Sequence, residues 1–107
     1  MKRTYSKYAE QASRLIGQQI KLARKNRGMT EAELAERAGV SRSTLRKVEA
    51  GEMTSAIGIV FELATIAGVC LFEPSERVLA LQLELTQCKI CLLKERIRQA
   101  HEVDDDF

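Results

Sequence analysis

Residues 30–51 read TEAELAERAGVSRSTLRKVEAG and decide the fold of the first half of the chain. The T-x-x-E pattern that starts at Thr30 is a capping box, a strong signal for the beginning of a helix. Gly39 ends this helix, because glycine adopts the left-handed conformation that a sharp turn requires. Ser41 caps the next helix, and Gly51 stops it. The stretch therefore predicts two short helices joined by a tight turn.

The side chains inside this stretch match the positions of a helix-turn-helix. Ala35 is small at the position where we expect the following helix to cross closely, and Val40 is expected to fill the space beneath the turn. Three apolar residues, Leu34, Leu45 and Val48, supply a shared core. Because each position carries the residue type that it needs, the pattern predicts a helix-turn-helix.

The outward face of the second of these helices indicates DNA contact. Before the acid at Glu49, its surface carries only hydroxyls and cations, namely Ser41, Arg42, Ser43, Thr44, Arg46 and Lys47. Arginine can donate two hydrogen bonds to guanine, and serine or threonine can reach bases or phosphates. A solvated face usually mixes both signs of charge. We therefore expect this helix to enter a DNA groove.

A second set of cations precedes the helix-turn-helix. The end of the preceding helix carries Arg24, Lys25 and Arg27. These cations are candidates for binding DNA phosphates, a contact that weakens as the salt concentration rises. Thr30 joins this expected DNA-binding set. The alternative for the three cations is an ordinary solvated helix end.

Helical periodicity extends over the rest of the chain and predicts an all-α fold with five helices. Further helices are expected near residues 8–26, 55–67 and 75–101. The helix near 55–67 is apolar on most sides, which places it in the middle of a bundle. By segment, we expect a basic N-terminal arm over 1–11, a helix-turn-helix domain over 12–70, a C-terminal helix over 71–101 and an acidic tail over 102–107.

The charge of the chain is divided between its two halves. Residues 1–51 carry 12 Lys/Arg against 5 Asp/Glu, a net charge of +7, whereas residues 52–107 carry a net charge of −5. A basic half joined to an acidic half favours polyanion binding at one end. Tyr5 and Tyr8 lie among the first cations, so the arm could touch DNA; packing or disorder is the alternative.

Several classes of protein are disfavoured by the sequence. No apolar run is long enough for a membrane span, and the basic start lacks the apolar core of a secretory signal. Three cysteines are too few for a disulfide scaffold, so we expect a cytoplasmic location. We find no phosphate loop, no paired carboxylates and no nucleophile with a histidine nearby, so enzyme activity and a cofactor are not expected.

Residues 15–69 resemble the lambda-repressor-like, XRE-type helix-turn-helix domain. The resemblance implies a five-helix bundle that binds a palindromic operator in double-stranded DNA as a homodimer. It implies base contacts for Arg42, Ser43 and Lys47, with Ser41 and Arg46 nearer the backbone. Many members carry Gln where this chain has Glu31, and a carboxylate would repel phosphate. We therefore expect Glu31 to turn away or to pair with a neighbouring cation.

The C-terminal helix carries two apolar rows at heptad spacing. Seam 1 comprises Val78, Leu81, Leu85, Cys88 and Leu92, and seam 2 comprises Leu79, Leu83, Thr86, Ile90, Leu93 and Ile97. Packing on its own domain requires one row, so the second predicts a dimer or a partner protein. Burial of both rows within one monomer is the alternative.

Cys88 and Cys91 form a C-x-x-C motif in the middle of this helix. No second ligand pair at matching spacing accompanies it, so no metal site is expected. We interpret both cysteines as small side chains that are buried or half-buried; redox sensing and zinc binding are the alternatives. His101, the only histidine, has no residue near it in the sequence that could form a catalytic pair with it.

The join GIVFELATIAGVCLFEP and the terminal VDDDF extend the resemblance to HipB-like antitoxins, which repress their own operons and bind HipA-like kinase toxins. The first hypothesis is therefore a dimeric DNA-binding repressor that is also an antitoxin. A stand-alone XRE-type regulator without a toxin is the second. The third is a protein-interaction scaffold whose helix-turn-helix no longer binds DNA. The acidic tail could dock on a basic partner, be recognised by a protease, or only aid solubility.

Overall fold

The computed structural model of the chain describes residues 3–105, with side chains described for 3–101. This part of the chain contains five α-helices and no strand, so the all-α prediction is confirmed. The helices are α1 (Lys7–Asn26), α2 (Glu31–Ala38), α3 (Arg42–Glu49), α4 (Ile57–Ala67) and α5 (Glu76–Asp105). They fall into two compact units, Met1–Leu71 and Phe72–Phe107.

Side-chain caps set the starts of the first three helices. Ser6, Thr30 and Ser41 each accept a hydrogen bond from the backbone N–H three residues later, which satisfies a donor that the helix leaves free. The Thr30 hydroxyl accepts from the Glu33 N–H at 3.1 Å and donates to the Glu33 carboxylate at 3.2 Å. Gly39 ends α2 with φ 71° in the left-handed region. The turn signals read from the sequence thus bound α2 and α3 as expected.

α1 begins at Lys7, one residue before the start expected near residue 8. Because Ser6 caps the helix, residues 7–11, which were also assigned to the basic arm, are helical. Tyr8 is exposed on this first turn, and the Arg3 guanidinium lies 5.5 Å from the Tyr5 ring centre. Met1 and Lys2, which were also assigned to the arm, lie outside the described residues.

The core of the first unit is built from one face of each of its four helices. Ile20, Leu34, Leu45 and Leu63 are fully buried, one from each helix in chain order. Ala35 and Val48 are buried beside them, and Val40 packs against this core from the turn. These positions confirm the core that was predicted for the helix-turn-helix.

The prediction for α4 was wrong. This helix was expected in the middle of the bundle, but only Leu63, Ala64 and Ala67 are buried on it. Ile57 and Phe61 are exposed. The helix packs against α1 and α2 through the face that residues three and four apart share, so an apolar composition on most sides did not mean burial on most sides.

The first unit places α1 and α3 in direct backbone contact. A Cβ added to Gly17 would lie 2.7 Å from the Glu49 carbonyl oxygen and would also clash with the Val48 carbonyl oxygen. At the end of α3, Gly51 has φ 80°, and a Cβ there would lie 2.7 Å from the Arg14 Cα. The Ser13 hydroxyl donates to the Gly51 carbonyl at 2.9 Å. Two glycines and one hydroxyl therefore fix the second half of α3 on α1.

The second unit contains α5, which continues to Asp105 and so ends beyond the expected residue 101. Every side chain described from Phe72 to His101 is exposed, including both seams. For the acidic tail, the backbone is described as far as Asp105 only, and its side chains lie outside the described part. No helix among the residues described is both long and apolar enough to span a membrane.

Gly17→Ala is expected to lower the free energy of unfolding by roughly 1–3 kcal/mol, because the added methyl group forces α3 away from α1. Gly58→Ala is the matched control, since a Cβ at that position of α4 would have no neighbouring heavy atom within 4 Å apart from the backbone of the helix itself. That control should be neutral or stabilising by up to about 1 kcal/mol. Urea unfolding of the two variants measures the difference. Equal effects would contradict the backbone contact.

Candidate nucleic-acid interface

The outward face of α3 carries two rows of polar side chains. Arg42 and Arg46, one turn apart, form the row beside α2, and Ser43 and Lys47 form the other. All four residues are exposed. The opposite face of the helix is buried through Leu45, Val48 and Glu49. The structure therefore brings the predicted DNA-binding residues of α3 together on one accessible surface.

Ser41 and Thr44 support the start of this surface. The Ser41 hydroxyl accepts from the Thr44 N–H at 3.1 Å, and the two hydroxyl oxygens lie 2.9 Å apart. Ser41 is exposed, whereas Thr44 is half-buried. Both were predicted to contact DNA, and both also hold the first turn of α3 in place.

Glu31 binds the two arginines of the row beside α2. The Arg46 Nε donates to a Glu31 carboxylate oxygen at 2.8 Å, and an Arg42 guanidinium nitrogen lies 3.8 Å from the same oxygen. Of the two arrangements expected for Glu31, pairing with a neighbouring cation is therefore confirmed. In the free protein, this carboxylate occupies a position at which phosphate would compete for the same arginines.

The ion pair with Arg46 also favours the ionised form of the Glu31 carboxyl. The hydrogen bond from Arg46 lowers the pKa of the Glu31 carboxyl, and the nearby charges of Arg46, Arg24 and Arg42 act in the same direction. Because the pKa in the folded state is depressed, the contribution of Glu31 to stability is complete above the ordinary carboxyl pKa. It is lost as pH falls through the lowered value. At neutral pH the carboxylate is ionised and the pair is intact.

The prediction that Arg24 binds DNA phosphates was wrong. It is only 5% exposed, and its Nε and a terminal nitrogen donate to the two Glu49 carboxylate oxygens at 2.8 and 3.2 Å. Its other terminal nitrogen donates to the Met29 carbonyl at 3.0 Å. The hydrogen bond to Glu49 raises the Arg24 pKa. With its donors directed inward, Arg24 cannot reach a phosphate in this conformation.

The sequence contains a signal for this pair that was missed. Glu49 follows Leu45 by four residues, so helical spacing alone places it on the buried face of α3. A buried carboxylate requires a cation, and the charges of α1 supply one. The prediction treated Glu49 only as the first acid after a cationic surface.

The other members of the phosphate set remain at the surface. Arg27 is exposed, but one of its terminal nitrogens donates to the Ile66 carbonyl at 3.1 Å, which ties α1 to the end of α4. Lys25 is exposed near the end of α1. Thr30 is exposed and engaged as the cap of α2. Lys25 is therefore the candidate whose role in folding is smallest.

The cysteines do not have the burial that was expected for Cys88 and Cys91. Both are exposed on α5, as is Cys70 before it. Among the described residues, no group of three or more His, Cys, Asp or Glu side chains is arranged to hold a metal ion.

Comparisons with known proteins are consistent with this geometry. Residues 20–70 match the family model described as Helix-turn-helix. One similar solved structure, titled "MDT Protein", has a TM-score of 0.50 and 20% identity, covering 71% of this chain and 99% of that one. No curated protein matches the sequence. At this identity the structural likeness shows the fold alone.

The family match supports a DNA-binding, XRE-type transcription regulator. The helix-turn-helix family is a DNA-binding family and not an enzyme family. The matched segment contains α2, α3 and α4 together with residues 20–26 of α1. The HipB-like role and the homodimer stay predictions.

Arg24→Gln is expected to destabilise the protein by about 3–5 kcal/mol, because Glu49 is left as a buried charge without its partner. Lys25→Gln, its exposed neighbour, should leave stability almost unchanged and weaken DNA binding. Combining Arg24→Met with Glu49→Leu removes both charges and should recover most of the stability. Thermal unfolding and DNA titration measure the two effects. If Arg24→Gln is stable and loses DNA affinity as Lys25→Gln does, Arg24 contacts DNA phosphate and the buried ion pair is not its main role.

Glu31→Gln is expected to strengthen DNA binding, because it releases Arg46 and Arg42 to phosphate. The salt dependence of the logarithm of the binding constant should steepen by about one unit of slope if one more phosphate is contacted. Glu36→Gln is the control, since it makes the same charge change at an exposed position of α2. Equal gains in the two variants would show that only net charge matters.

Proposed function

We propose that the chain is a sequence-specific DNA-binding transcriptional repressor in which α3 enters the major groove. The observation that carries this proposal is the exposed surface of Arg42, Ser43, Arg46 and Lys47 on a helix whose opposite face is fixed to α1. An α-helix fits the major groove, where donor and acceptor patterns identify each base pair. The family match supports the same mode of binding.

The two rows on α3 receive different roles in this proposal. Ser43 and Lys47 are proposed to read base edges together with Arg42, and Thr44 assists from the first turn. Arg46 exchanges its Glu31 partner for a phosphate, with Ser41, Thr30 and Lys25 along the DNA backbone. Arg27 adds charge while it holds α4. Phosphate contacts set register and base contacts set specificity, so the two rows should respond differently to mutation.

A two-fold operator follows from a homodimer. Two copies of α3 placed about 34 Å apart would contact successive major grooves on one side of the duplex. The proposed operator is therefore palindromic, with half-sites about one helical turn apart. The positive charge of residues 1–51 favours this association over long distances.

Arg42→Ala is expected to cost roughly 1–3 kcal/mol of operator binding and to relax preference at one base position. The operator is first selected from random duplexes with the wild-type protein, and the variant is then titrated against single-base changes. Arg37→Ala is the control, because it removes an exposed cation from α2 and not from α3. Unchanged affinity and preference in Arg42→Ala, or no selected sequence at all, would favour the scaffold alternative.

We further propose that the repressor is the autoregulating antitoxin of a HipA-like kinase toxin. The feature that favours a partner protein is the second unit, in which α5 exposes two apolar seams on opposite sides. A regulator that needed only a second copy of itself would need one seam. The stand-alone XRE-type regulator is the alternative.

Affinity capture from native cells, with nuclease present, separates the two roles. The full-length chain should recover a kinase-like protein, and a version that ends at His101 shows whether the acidic tail takes part. Recovery of the chain alone by the full-length form would favour the stand-alone regulator.

A further inference from the structure

The two seams of α5 lie on nearly opposite sides of one exposed helix. At 100° per residue their centres are separated by roughly 140° around the helix axis. Leu85 in seam 1 is 60% exposed and Leu83 in seam 2 is 59% exposed, so exposure does not distinguish them. The charges that flank each seam do.

The charges that flank seam 1 in one copy are complementary to those that flank it in a second copy. With Val78, Leu85 and Leu92 at heptad position a, Leu81 and Cys88 occupy position d. Glu84 then takes position g and Lys89 takes position e. In a parallel pair of helices, position g of one copy faces the next position e of the other. Glu84 thus faces Lys89 of the second copy, and two-fold symmetry makes this contact twice.

The flanks of seam 2 oppose self-association. Its heptad places Lys89 and Arg96 at position g and Lys94 at position e. A parallel pair puts Lys89 opposite Lys94 of the second copy. An antiparallel pair that aligns Leu83 with Leu93 puts Lys89 opposite itself. In addition, Thr86 lies in the middle of this seam and donates to the Gln82 carbonyl at 2.8 Å.

Seam 1 also selects the direction of pairing. In an antiparallel pair, position a faces position d, and aligning Leu81 with Leu92 sets Val78 opposite Glu95 of the second copy. That arrangement places a carboxylate against the seam and separates Glu84 from Lys89. The parallel arrangement keeps five apolar layers in register and joins the charged flanks.

We propose that α5 pairs with α5 of a second copy as a parallel two-stranded coiled coil along seam 1, flanked by Glu84–Lys89 ion pairs between the copies. This inference deepens the proposed function, since it names the contact behind the two-fold operator binding. Each chain enters α5 at the N-terminal end of the helix. A parallel coiled coil therefore attaches both DNA-binding units at the same end.

The first test measures assembly without DNA. The wild-type chain should have twice the 12.0 kDa molar mass of a single chain in sedimentation equilibrium. Leu85→Glu should halve that mass, and the equally exposed Leu83→Glu should not. A monomeric wild type, or a monomer produced by Leu83→Glu alone, would overturn the assignment of seam 1. Helical content by circular dichroism confirms that each variant is folded.

A second test fixes the direction of the helices. In a chain with Cys70→Ala, Cys88→Ala and Cys91→Ala, Val78→Cys should form a disulfide-linked dimer on mild oxidation, because the two copies of position 78 face each other. Leu79→Cys, its neighbour in seam 2, should not. An antiparallel pair would hold the two cysteines at position 78 about 25 Å apart along the helix and prevent the link. A link formed by Leu79→Cys alone, or no link in a proven dimer, would overturn the parallel arrangement.

A charge exchange tests the flanking pairs. Glu84→Lys should raise the dimer dissociation constant several-fold, and adding Lys89→Glu should restore it. Loss without restoration would remove the ion pairs from the proposal. Because none of these measurements contains DNA, they can fail while operator binding stands. Failure of the Arg42→Ala prediction would likewise leave the coiled coil untouched.

Discussion

The buried ion pair between Arg24 and Glu49 is the contact on which the position of the exposed face of α3 depends. It joins α1 to α3, and through the Met29 carbonyl it also holds the chain between α1 and α2. Charges this well buried are tolerated only when each has its partner and its hydrogen bonds. In the described part of the chain, no buried side-chain nitrogen or oxygen lacks a hydrogen-bond partner. The pair therefore specifies how α3 lies on α1, even though isolated ions would be costly there.

Close backbone packing has a second role beside this pair. Gly17 lets α1 approach the carbonyls of α3, and Ser13 secures the turn that follows α3. With its inner face held in this way, α3 presents only its two polar rows to solvent. The separation of a fixed face from an exposed face explains why mutations on α3 should divide into those that affect folding and those that affect binding.

Much of this arrangement could be predicted from local signals. Capping hydroxyls and turn glycines act within one turn of the chain, so Thr30, Gly39 and Ser41 were sufficient to bound α2 and α3. The role of Arg24 could not be read in the same way, because a count of cations does not show which one is directed into the core. For α4, apolar composition indicated burial on most sides, whereas the packing of a short helix uses one face. In α5, the spacing shows both seams, but the flanking charges and Thr86 are needed to distinguish them.

The contact between Glu31 and the arginines of α3 has a consequence for how the protein searches a genome. In the proposed mode of binding, every random site offers phosphates, and each encounter would have to displace the Glu31 carboxylate before Arg46 could bind one. A specific site compensates for that exchange through its base contacts, whereas a random site does not. The carboxylate would thus weaken binding to random DNA and to the operator by the same factor, and base contacts would keep the operator complex the longer-lived of the two. Faster release from the many wrong sites leaves a larger share of the molecules free to reach the right one.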